Sequence, residues 1–75
     1  MVSETIRRLL DHAFPGATID VLDRTGSGDH FQVTIVSGRF EGLSLVEQHR
    51  LVNAALAGPL ADGSIHELRI STRVG

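Results

Sequence analysis

The chain has no cysteine, lysine, tryptophan or tyrosine, and only two prolines in its 75 residues. Each absence excludes something. Without cysteine there is no disulfide, zinc–thiolate site or cysteine nucleophile, and no iron–sulfur site built from this chain alone. No stretch approaches the roughly 18 apolar residues of a membrane helix, so no membrane association is expected. Met1-Val2-Ser3-Glu4 leads into a polar helix rather than a basic stretch and an apolar run, so no secretory signal is read and a cytoplasmic location is expected. A basic surplus is missing too. Seven arginines stand against nine acids and four histidines, for a formal net charge of −2 at pH 7. Phosphate neutralisation supplies most of the affinity of a nucleic-acid binder, so a DNA role here requires a local patch.

What is present reads as globular: 41% of residues are hydrophobic and 21% charged. The length suits a single small domain spanning residues 1–75. A chain this short buries only about 60% of its unfolded surface, so its stability is marginal.

Ile6, Leu9, Leu10, Ala13 and Phe14 recur at helical spacing, which predicts a helix from Ser3, as N-cap, to Phe14. Pro15-Gly16 ends it. Ala17 to Asp23 reads as a strand, Arg24 to Asp29 as a glycine-containing hairpin loop, and Phe31 to Ser37 as a second, antiparallel strand. In that strand Phe31, Val33 and Ile35 share one face. After a turn at Gly38–Leu43, Ser44 and Glu47 form a capping box that opens a second helix. Its buried stripe is read as Leu45, Val52 and Leu56, with His49 and Asn53 at the same spacing. Gly58-Pro59 stops this helix, and Pro59 to Asp62 adds one short turn. Ile65 to Thr72 is the third strand, with His66, Leu68, Ile70 and Thr72 on one face. The order is α-β-β-α-β. A helical crossover joins parallel strands, so this α+β chain is expected to form a three-stranded mixed sheet with both long helices on one face.

Catalytic patterns are absent or weak. Ser44 is used in capping, and Ser27, Ser37 and Ser71 lack a Gly-x-Ser-x-Gly setting. Asp20, Asp23 and Asp29 cluster near the loop without the apolar surroundings that raise a carboxyl pKa. Gly26-Ser27-Gly28 is not followed by a helix, so it is no phosphate loop. The pattern points away from an enzyme. His12 reads as a surface residue and His49 as a structural one. His30 begins a strand with outward parity. His66 opens the last strand, and reads either as a satisfied edge residue or as a metal ligand with one ring nitrogen held by the protein. The layout is like a type II KH domain, but Gly58-Pro59-Leu60-Ala61-Asp62-Gly63 has the wrong glycine spacing for the nucleotide clamp. Arg39, Arg50, Arg69 and Arg73 are the candidates for a phosphate-binding patch, against the plainer reading of solvated arginines.

An ordered series of segments carries a family resemblance across nearly the whole chain. They are Phe14-Pro15-Gly16-Ala17, Gly28-Asp29-His30-Phe31-Gln32-Val33, Ile35-Val36-Ser37, Arg39-Phe40-Glu41-Gly42-Leu43-Ser44, Gln48-His49-Arg50-Leu51-Val52-Asn53 and Gly63-Ser64-Ile65-His66-Glu67-Leu68. The chain resembles the BolA family. The resemblance implies a non-enzymatic adaptor that pairs with a monothiol glutaredoxin and shares a bridging 2Fe-2S cluster, in cluster trafficking or iron sensing. The glutaredoxin cysteine and glutathione would supply thiolates. His66 matches the family's C-terminal histidine ligand, with His30 as an auxiliary; Ser27, Gly28, Arg50, Asn53 and Arg69 would lie on the partner face. Ser27 stands where family members often carry Cys or His, and the sequence ends at Gly75, where the family usually continues into a short tail or helix. Some family members are credited with regulating transcription, which makes DNA binding the alternative reading. Short exposed strands at the sheet edge leave room for a homodimer, which nothing in the sequence specifies.

Overall fold

Alternation in the central strand decides how the molecule is layered. Phe31, Val33 and Ile35 are all buried, while Gln32, Thr34 and Val36 between them are half-buried. One face of the sheet therefore meets the helices, and the other is open. The computed structural model describes residues 1–75 in the order α1 (Val2–Ala13), β1 (Thr18–Asp23), β2 (His30–Val36), a 3-10 turn (Gly38–Phe40), α2 (Leu45–Ala55), α3 (Ala57–Ala61) and β3 (Glu67–Arg73).

The sheet order is β1-β2-β3. β1 pairs antiparallel with β2, from Thr18 opposite Val36 to Asp23 opposite Phe31. β2 pairs parallel with β3, from His30 opposite Glu67 to Val36 opposite Arg73. The mixed three-stranded sheet is thus the one expected from a hairpin followed by a helical crossover. No helix is long and apolar enough to cross a membrane.

One cluster of eleven buried apolar residues forms the core, drawn from α1 (Ile6, Leu10), the turn after it (Phe14), β1 and β2, the 3-10 turn (Phe40), α2 and its cap (Val52, Leu56), and Ile65. Burying side chains of this size contributes about 1.5–3 kcal/mol each. Phe14 and Phe40 pack with ring centroids 5.3 Å apart.

Four local expectations are corrected. α1 is capped at Met1, not Ser3, with no side-chain cap bond. Leu45 is 61% exposed rather than buried, because the first turn of α2 projects past the core that holds Val52 and Leu56. Gly58-Pro59 does not stop a helix but lies inside the first turn of α3, where proline's missing N–H has no intrahelical role. β3 begins at Glu67 rather than Ile65. The capping box of α2 is present as read: Glu47 N–H donates to Ser44 Oγ at 3.2 Å, and Ser44 N–H donates to Glu47 Oε1 at 3.0 Å.

Candidate functional site

Asp23 at the end of β1 begins the site. Its carboxylate accepts from Gly26 N–H and Gly28 N–H, each at 3.0 Å. Gly28 adopts φ +81°, a left-handed conformation that costs glycine little. The loop closes where Arg24 N–H donates to the His30 carbonyl at 2.8 Å. Thr25 Oγ1 and Ser27 Oγ lie 2.5 Å apart, and the Ser27 hydroxyl donates to Asp29 Oδ1.

The parallel register then brings distant residues together. Because His30 sits opposite Glu67, the residues just before them, Asp29 and His66, are neighbours. His66 N–H and Glu67 N–H both donate to the Asp29 carbonyl, at 2.8 and 3.2 Å. The Asp29 side chain lies between two imidazoles. Its Oδ1 is 2.7 Å from His30 Nδ1 and its Oδ2 is 2.8 Å from His66 Nδ1. The rings stand edge to face with centroids 6.4 Å apart. The hydrogen bond from Ser27 and that from His30 lower the Asp29 pKa to about 2. Asp29 is therefore a carboxylate at neutral pH, with His30 Nδ1 in hydrogen-bond contact with one oxygen and His66 Nδ1 at ion-pair distance from the other. A neutral ring that donates through Nδ1 carries its lone pair on Nε2. His66 is well placed to use it, since its side chain is 62% exposed at the end of the sheet.

Beside the rings, Arg24 donates to Glu67 Oε1 at 2.5 Å, and Arg69 Nε approaches the same oxygen at 3.3 Å. The hairpin is thereby tied to the start of β3, although ion pairs this open to solvent contribute only about 0–1 kcal/mol.

The candidate residues divide clearly. His30 and His66 meet across Asp29, and Ser27 and Gly28 belong to the same loop. Arg69 is attached to this end of the sheet through Glu67. Arg50 and Asn53 are exposed on α2, in the helical layer. Arg50 lines a shallow hollow with Leu43, Glu47 and Leu51. Arg73 ends β3, about 20 Å from its start at ~3.3 Å per residue, and Arg39 follows β2 at that same far end. Of the four arginines read as a phosphate patch, Arg39 and Arg73 thus share that end of the sheet, while Arg69 lies nearer the start of β3 and Arg50 on α2. His12 is exposed on α1, and His49 is half-buried on α2.

The sequence alone does not mark Asp29 as a site residue. The available signal was an acid directly preceding the first histidine of a strand; its reach to His66 emerges only from the β2–β3 register.

A family model described as BolA-like protein matches residues 8–74. Human BolA-like protein 1 is 40% identical over 79 aligned positions, covering 96% of this chain and 57% of its own length. The DNA-binding transcriptional regulator BolA of Vibrio cholerae is also 40% identical, covering 96% of this chain and 74% of its own. The solved structure of BolA1 from Arabidopsis thaliana superposes with a TM-score of 0.89 at 31% identity, covering 99% of this chain and 92% of that one. The chain thus spans little more than half the length of the human relative.

Proposed function

Since the chain belongs to the BolA-like family, we propose that it is a non-enzymatic adaptor that pairs with a monothiol glutaredoxin and holds one side of a bridging 2Fe-2S cluster. The observation that carries this reading is the pair His30 and His66, both turned through Nδ1 onto Asp29 at the exposed end of the sheet. Imidazole nitrogen is a competent iron ligand, and replacing thiolate by histidine at one iron raises the cluster's potential. The donor set fits such a cargo. His66 would be the ligand and His30 the auxiliary, while thiolates would come from the glutaredoxin cysteine and glutathione, as this chain has no cysteine. The Ser27 hydroxyl, bonded to Asp29 and beside Thr25, is a poor ligand and serves the loop instead. Ser27, Gly28 and Arg69 would meet the partner beside the rings, with Arg50 and Asn53 of α2 extending that face. The relatives carry names of regulators or family members rather than of enzymes.

The test is a titration of this chain into cluster-loaded monothiol glutaredoxin with glutathione, followed by visible circular dichroism. The expected result is a new spectrum that saturates near one equivalent and is lost in His66→Ala. An unchanged spectrum with no association detected would refute the reading.

The name of the Vibrio cholerae relative favours DNA binding as a second reading. Exposed Arg50 and Arg73 would contact phosphate, with Arg39 and Arg69 already engaged within the chain. Affinity falling steeply with salt would support it; no binding at low salt would remove it.

A further inference from the structure

We infer that Asp29 is a positioning residue which sets the tautomer of both His30 and His66, so that the two rings present Nε2 lone pairs outward together. The inference rests on the adaptor reading for its purpose, but its geometry stands apart from it. One carboxylate serves both rings: Oδ1 faces His30 Nδ1 at 2.7 Å and Oδ2 faces His66 Nδ1 at 2.8 Å. An ionised carboxylate only accepts, so each ring must donate through Nδ1. The Ser27 hydroxyl takes a further lone pair of Oδ1, and the Asp29 carbonyl holds the backbone of His66 and Glu67. Both halves of the residue therefore act on the pair, one aligning the strands and the other orienting the rings. A carboxylate behind a ligating histidine fixes its orientation and raises its basicity. Here a single group does so for two.

The informative variant is Asp29→Asn, because an amide keeps the shape but has one accepting oxygen and one donating nitrogen. It can accept from one ring, but it must donate to the other, which then carries its proton on Nε2 and is closed to metal.

The experiment is ¹⁵N imidazole spectroscopy of the metal-free chain at a pH where the rings are neutral. Exposed His12, on a different element, provides the internal reference. In the wild type, both His30 and His66 are expected as Nδ1–H tautomers; in Asp29→Asn, one of them converts to Nε2–H. Ser27→Ala removes a hydroxyl but neither ring contact, and should leave both rings as in the wild type. Cluster binding by Asp29→Asn should weaken on the order of 10- to 100-fold, the usual cost of losing such a partner. Wild-type rings in the Nε2–H form, or an Asp29→Asn chain with both rings unchanged, would overturn the inference. Tautomers as expected in a chain that never alters the glutaredoxin spectrum would sink the adaptor reading and leave the role of Asp29 standing.

Discussion

The Arg39 guanidinium lies over the face of Phe14, 5.3 Å from the ring centroid. Its NH1 also donates to the Ala13 carbonyl, one of the free carbonyls at the end of α1. The side chain therefore fastens the 3-10 turn to the first helix. Arg39→Ala should lower stability by about 1 kcal/mol, combining an exposed cation–π contact with one charged hydrogen bond. Urea unfolding would show it as a reduced midpoint with an unchanged slope. An unshifted midpoint would mean that the contact contributes nothing in solution.

The capping box of α2 gives a pH dependence with a definite sign. Hydrogen bonding to the Ser44 backbone, and then to its side chain, holds the Glu47 carboxyl below its ordinary range. A folded-state pKa below the unfolded one adds stability that is complete above about pH 4.3, the unperturbed glutamate value, and fades as the pH falls through the lowered value. Glu47→Gln should be less stable than the wild type at pH 7, and the gap should narrow toward pH 3. Thermal melts at the two pH values decide it, and a constant gap would show that the charge is not involved. Ser44→Ala removes the other half of the box and should cost about 1 kcal/mol at neutral pH.

Asp23 is expected to control the loop without controlling the fold. Its carboxylate takes both Gly26 N–H and Gly28 N–H. Asp23→Ala should speed amide hydrogen exchange at these two glycines, and leave exchange at buried Val33 and Ile35 unchanged. Equal acceleration throughout would instead mark a global loss of stability.

Gly63 isolates a purely backbone effect. It has φ +82°, and a methyl group there would meet no atom within 4 Å. Gly63→Ala should therefore cost about 1 kcal/mol through the left-handed conformation alone. Denaturant titration measures it; a neutral substitution would mean that the turn before Ile65 relaxes freely.

The parts of this architecture written in local periodicity were legible from the chain. Ile6, Leu10 and Phe14 mark the buried stripe of α1, and Phe31, Val33 and Ile35 mark the covered face of β2. Periodicity does not say where a helix passes beyond its support, so helical spacing puts Leu45 on the core stripe although it is exposed. The same restriction hid half of the site. Strand parity puts His30 with Gln32 and His66 with Leu68, on opposite faces of the sheet. Neither histidine is held to its face, because His30 is the first residue of β2 and His66 lies just before β3. There the rings swing round the sheet's end to a shared carboxylate, a relationship that depends on the register of two strands whose paired residues are 37 positions apart.

The parallel pairing of β2 with β3 also dictates an order of events during synthesis. When β2 leaves the ribosome it has its hairpin partner β1, but its other edge stays open until α2, α3 and β3 have been made. Throughout that interval the hydrogen-bonding groups of the most buried strand are unpaired on one side, and His30 has no companion. A nascent chain is thus most prone to mispairing before β3 is made, and the last strand to be translated both closes that edge and brings His66 to Asp29.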